Sequence, residues 1–218
     1  MSQSLPPAPY QHPPLRPLEQ WLAPEASTWC DPHQGTALRD MALNFGIRRG
    51  LAAMLFVLGD VLVGFAVLSF IAFPESRAAW ITAGVLGIAC AYASFPLWNR
   101  SRTKLPRMTP ADTFRSPTDT RSGLTLTVVI GIPLGFIAYF PLAPLLSHGQ
   151  FGPAFFVGYY LLLLSAAVAL FLVPGHFIGT ARRDFRRFIA TNPEPRAALE
   201  ELSLTWRDPV ANQAFGPL

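Results

Sequence analysis

Four long apolar runs govern what this chain can fold into. They are Leu51 to Phe73, Ala78 to Trp98, Leu124 to Ser147, and Pro153 to Ile178, each of at least 21 residues. A helix rises about 1.5 Å per residue, so roughly 20 residues cross a hydrocarbon core of about 30 Å. Apolar stretches buried in soluble proteins are usually only about 10–14 residues long. Barrel strands are short and alternate, and these runs do not. In lipid the backbone must bond within its own segment, which selects helix. Composition agrees: 51% of the residues are hydrophobic and 14% charged, against about 25% charge in an average soluble domain. The expected fold is an all-α integral membrane protein. It has four transmembrane helices in two hairpins, plus interfacial amphipathic helices.

The scarce charge is sorted by position. Sixteen of the 17 Lys and Arg residues precede span one, join spans two and three, or follow span four. Only Arg77 lies in a turn on the other side. The positive-inside rule then predicts that the N-terminus, the C-terminus and loop 99–123 are cytoplasmic. The outer turns, residues 74–77 and those around His148, are tight. That disfavours a receptor for a large external ligand or an enzyme with an external domain. One lysine against sixteen arginines fits a GC-rich genome and a bacterial inner membrane. Residues 1–50 hold no apolar core, so span one is expected to be its own insertion signal. Ser2 stands where N-myristoylation needs glycine.

The remaining segments divide by composition. Residues 1–34 hold eight prolines and predict a disordered cytoplasmic arm. Its PPAPYQHPPLRP stretch is pre-extended for a partner's aromatic groove, although a flexible tail is the simpler reading. Leu18, Trp21 and Leu22 are spaced for one helical turn at the lipid interface. Residues 35–50 predict an amphipathic interfacial helix. Leu38, Met41, Ala42 and Phe45 form its apolar stripe, and Gly46 or Gly50 allows the turn into span one. The alternative is packing on the chain's own cytoplasmic loop. Residues 51–178 form the four-helix domain, and loop 99–123 within it is rich in Ser, Thr, Pro and Arg. Residues 179–218 form a basic amphipathic tail. Phe185, Phe188 and Ile189 share one face there, and Arg182, Arg183, Arg186 and Arg187 form a collar. A second short helix is expected over 195–202, with a loose end after Trp206. The collar suits anionic headgroups, so the bilayer is the first expected partner. Nucleic acid is not expected, for want of further interleaved aromatics.

Asp60 is the one formal charge inside a span. An Asp near a helix centre costs about 2.5–3.5 kcal/mol to insert, so it demands an explanation. Polar residues at similar depth are Tyr92, Ser94, Thr127 and Ser165, with Cys90 in span two and His176 nearer the inner surface. No Lys or Arg lies in any span. Three readings follow: a protonated acid bonded to hydroxyls, a pair with a cation on another subunit, or a proton or cation coupling site. Span three carries Pro133, Pro141 and Pro144, and Pro133 frees a carbonyl near Val129. Its Gly131 and Gly135 match GxxxG and predict close packing within the chain.

No metal site or other cofactor is expected. His148 and His176 fall at opposite ends of the spans, and Cys30-Asp31-Pro32-His33 is at most half a zinc site. No phosphate-binding loop, dinucleotide fingerprint, nucleophile elbow or metalloprotease motif occurs. The sequence therefore points to a non-catalytic accessory or assembly subunit of a larger membrane complex, with other membrane subunits as partners. The alternative is a small transporter or channel with Asp60 as its proton or cation site. A third class, a lipid-modifying membrane enzyme, needs polar groups converging near His176, Asp112 and Asp119.

Overall fold

The structure is a computed structural model that describes residues 17–28, 36–106, 119–147, 152–206 and 215–218. The Pro-rich stretch before Pro17, the Cys30–His33 pair, most of the middle loop with Asp112, and the His148 turn lie outside the described residues. The elements are α1 (Leu18–Leu22), a 3-10 turn (Pro24–Thr28), α2 (Ala37–Ala72), α3 (Arg77–Thr103), α4 (Thr120–Ser147) and α5 (Pro153–Ala167). A π-helical turn (Val168–Leu172), α6 (Val173–Gly179), α7 (Ala181–Thr191) and α8 (Pro193–Thr205) follow. The chain is an all-α membrane protein. Four helical runs are long and apolar enough to span: α2, α3, α4, and α5 continued through α6.

These four do not close into a ring. α2 packs on α3 along one side and on α5 and α6 along another, while α4 packs on the far side of α5 and α6. Among the described residues, α3 and α4 do not pack on each other along their lengths. The result is an open row, α3–α2–α5/α6–α4, whose end helices expose broad apolar faces. Ile88 and Phe95 on α3 and Ile132 and Phe136 on α4 are among the exposed large side chains. Such faces suit hydrocarbon, which costs nothing to meet an apolar side chain.

Residues 35–50 do not form a separate helix on the bilayer surface. α2 runs unbroken for 36 residues, about 54 Å at the usual rise. That is well beyond a bilayer core, so its first turns project. Gly46 and Gly50 serve close approach there instead of a bend. A Cβ at Gly46 would lie 2.7 Å from Ala181 Cβ and from the Phe177 carbonyl oxygen. The amphipathic stripe has found protein instead of lipid. Leu38, Met41, Ala42 and Phe45 are buried with Phe185, Phe188, Ile189 and Leu199 in one core. Two apolar stripes that close on each other remove more surface from water than either lying half-immersed.

Two neighbouring segments join this core. α1 lies inside the stretch expected to be disordered, yet Leu18 is buried and Trp21 and Leu22 pack against the core. Arg196 of α8 anchors it, donating from Nη2 to Glu19 Oε1 at 2.7 Å and from Nε to Glu200 Oε1 at 3.0 Å. Residues 215–218, expected to be loose, are buried as well. Thr36 Oγ1 donates to the Pro217 carbonyl (2.7 Å), and the Leu38 amide donates to the Phe215 carbonyl (3.0 Å). Phe215 thereby supplies an acceptor for one of the unpaired donors in the first turn of α2.

The fourth span contains a π-helical turn that its uniform hydrophobicity does not announce. The Val173 amide donates to Val168, five residues back. Pro174 follows at once. A proline ring clashes with the carbonyl four residues earlier, here Leu170, and a widened turn relieves that clash.

Candidate functional site

The crossing of α2 and α3 positions Asp60. A Cβ at Gly59 would lie 2.8 Å from the Gly87 carbonyl oxygen and 2.9 Å from the Ala91 amide nitrogen. A Cβ at Gly87 would lie 2.8 Å from the Gly59 carbonyl oxygen. Two backbones meet where neither residue has a side chain. With Gly59 turned into this contact, helical geometry turns Asp60 about 100° away. Asp60 is exposed on the outside of the row, and it makes no hydrogen bond or ion pair with another described residue.

Tyr92 shares that outer face. The Phe56 and Phe95 rings meet edge-on at 6.5 Å between centroids. α2 and α3 are antiparallel, so one turn further from the basic end brings Asp60 on one helix and Tyr92 on the other. Tyr92 is 78% exposed. The other three polar residues turn inward to their own helices. Ser94 Oγ donates to the Ala91 carbonyl (2.6 Å), Thr127 Oγ1 to Gly123 (2.8 Å) and Ser165 Oγ to Leu161 (2.8 Å). None of these bonds reaches Asp60, so the five residues do not form one polar site. Gly131 and Gly135 face α5, where added Cβ atoms would run into the side chains of Leu164 and Tyr160.

At the basic end the arginine collar divides. Arg182 stands near Arg39 and Arg186. Burial pushes the Arg182 guanidinium below its ordinary range first, and repulsion from Arg39 and then Arg186 adds to this. Arg183 contacts Asp184 at 3.5 Å. Arg187 instead lines a cleft of about 390 Å³ together with Arg49, Arg102, Asp184, Phe188, Thr191 and Asn192. In the sequence, Arg49 and Arg102 stand out only as topology signals. Their position at the ends of adjacent antiparallel spans, either side of Trp98, was the sign that they converge. Arg49 stacks over the Phe45 ring at 4.2 Å and stands 5.8 Å from the Trp98 ring, while Arg102 is 5.5 Å from the same ring.

Chemically, the described residues at this end bring together a cluster of cations. His176 and Asp119 do not line the cleft. Among the described residues, no three His, Cys, Asp or Glu side chains come together to hold a metal ion. No family model matches this chain, and neither a curated protein nor a solved structure is significantly similar to it.

Proposed function

We propose that this chain is a non-catalytic accessory or assembly subunit of a larger membrane complex. The observation that carries this reading is Asp60, exposed on the outer face of an open helical row. Facing hydrocarbon, a carboxylate costs about 2.5–3.5 kcal/mol. A basic side chain from a neighbouring subunit's helix offsets that cost and makes the acid a selective contact. Such a pair also fixes register, because an unpaired partner would leave a charge in lipid. A second copy of this chain brings no Lys or Arg within its spans, so the cation comes from a different protein. The sorting of charge supports cytoplasmic termini and a cytoplasmic middle loop, and one lysine against sixteen arginines fits a bacterial inner membrane.

The alternative, a small transporter or channel, needs polar groups gathered at mid-membrane. Ser94, Thr127 and Ser165 are each bonded within their own helices, which leaves only Tyr92 of the four beside Asp60, too few for such a gathering. The test places a photo-crosslinking residue at Ile88, on the exposed face of α3, in living cells. The expected product is an adduct to a membrane protein with a basic residue in a span, lost with Asp60→Leu. Recovery of the monomer alone, or an adduct indifferent to Asp60, overturns the subunit reading.

A further inference from the structure

The cleft between α2, α3 and α7 has the features of an anion site. Three guanidinium groups, Arg49, Arg102 and Arg187, line it against one carboxylate, Asp184. That carboxylate acts on Arg49 through charge without a hydrogen bond, while its Oδ2 accepts from Thr180 Oγ1 at 2.9 Å and its Oδ1 from Arg183 Nε at 3.5 Å; two of the three cleft cations are left unbalanced. The three cleft arginines make no side-chain hydrogen bond to any described residue. Arg49 Nε is buried from solvent with no acceptor, as are Arg186 Nε and Trp80 Nε1 outside the cleft; Arg49 alone of these three lines the cleft. Stacking on Phe45 engages the face of the guanidinium and leaves its in-plane N–H groups unmatched. Buried donors without acceptors are rare in folded proteins, and one that lines a cleft can be satisfied by a group from outside the chain. The other polar groups of the cleft are self-satisfied. Thr191 Oγ1 donates to the Arg187 carbonyl at 2.9 Å, and Asn192 Nδ2 donates to the Phe188 carbonyl at 2.8 Å. Free donor capacity is therefore confined to the arginines.

We propose that this cleft binds a phosphate group, held by the in-plane N–H groups of Arg49, Arg102 and Arg187. The guanidinium fork matches two phosphate oxygens at once, which a point charge does not. Arg49 and Arg102 reach the cleft from the basic ends of two spanning helices, at the level where lipid headgroups lie. Its volume of about 390 Å³ admits more than a bare anion. The shared chemistry is a phosphate ester, from an anionic lipid or from a water-soluble compound. Aromatic packing under Arg49 holds one fork in place before the ligand arrives, which lowers the ordering cost of binding. The site does not depend on the subunit role of Asp60, which lies on a different face in the middle of the apolar run.

The experiment uses the full chain in a neutral detergent and follows its thermal midpoint. Three probes are titrated separately: short-chain phosphatidylglycerol, short-chain phosphatidylcholine and inorganic pyrophosphate. A rise with phosphatidylglycerol alone identifies a lipid headgroup; a rise with pyrophosphate as well identifies phosphate from either source. In both cases Arg102→Gln with Arg187→Gln is expected to weaken apparent affinity about tenfold or more, as for lost hydrogen bonds to a charged group. The charge-matched pair Arg77→Gln with Arg121→Gln, away from the cleft, is expected to bind normally. Arg102→Lys keeps charge and bulk but loses the fork, so it is expected to bind weakly while folding normally. No midpoint shift with either anionic probe, or equal losses in the cleft and control pairs, overturns the proposal.

Discussion

Phe185 is fully buried at the basic end, 5.7 Å from the Phe45 ring and 6.4 Å from Phe188. It ties α7 to the projecting turns of α2. Phe185→Ala removes a large side chain from a closed site, which costs about 3–5 kcal/mol. About 0.5–1.5 kcal/mol of this is aromatic pairing with Phe45, whose rings meet edge-on. α7 is joined to α6 only through Thr180, so it can shift inward, and the lower end of the range, about 3 kcal/mol, is expected. Each 1.4 kcal/mol is a factor of about ten, so the open population of α7 and α8 should rise by roughly two orders of magnitude. Amide hydrogen exchange in lipid nanodiscs reads this directly. Amides from Arg183 to Ala190 should exchange about a hundredfold faster, while those in the middle of α3 stay within about threefold. Phe185→Leu keeps most of the volume and should exchange only modestly faster. If Phe185→Ala changed α7 exchange by less than about fivefold, the stripe would be resting on lipid and the closed core would be wrong. Equal acceleration in α3 would mean that the basic-end core and the spans open as one unit.

Other consequences are sharper at single contacts. Gly59→Ala drives a methyl against two backbone atoms that cannot rotate away, so it should cost about 1–3 kcal/mol. Gly84→Ala, whose added Cβ meets only Ala66 at an ordinary 3.5 Å, should be near neutral. Thermal unfolding of the two variants in the same detergent separates them. Thr36→Val removes both the donor to Pro217 and the acceptor for the Arg39 amide at 3.2 Å, a loss of about 1–2 kcal/mol at a helix N-cap. Faster exchange of the Arg39 amide, restored by Thr36→Ser, is the expected signature. Asp119 caps α4, accepting from the Ser122 hydroxyl and from the Ser122 amide at 2.8 Å. These bonds, the hydroxyl first, hold its carboxyl below the usual carboxylate range. A depressed folded-state pKa stabilises the helix end above the usual range, and that contribution is lost as pH falls through the lowered value. Ser122 amide exchange, corrected for intrinsic chemistry, should therefore stay protected to more acidic pH than an ordinary Asp allows. Asp119→Ala should remove the effect at every pH.

The spans are legible in the sequence because the bilayer imposes a length that no other environment requires. Partners are less legible, because periodicity identifies the apolar face of a helix but not what covers it. The stripe at Leu38, Met41, Ala42 and Phe45 and the one at Phe185, Phe188 and Ile189 are both plain to read. Nothing local says that they close on each other, and the 139 residues between Phe45 and Phe185 hide the pairing. The orientation of Asp60 was more accessible. Leu38, Phe45, Ala52, Gly59 and Ala66 recur every seven residues, and all five are buried. A repeat of that length marks the packed side of a helix. Small residues in its outer half mark the stretch where another backbone comes close. Asp60 is one step off this line, so the same repeat that brings α3 against Gly59 directs the acid away from the protein's own hydroxyls. That phase, more than the presence of an acid in a span, separates the readings. An acid turned inward would be answered within the chain. An acid turned outward at a glycine crossing finds no hydrogen-bond partner or cation among the described residues of its own chain, which is the feature the proposed subunit role rests on.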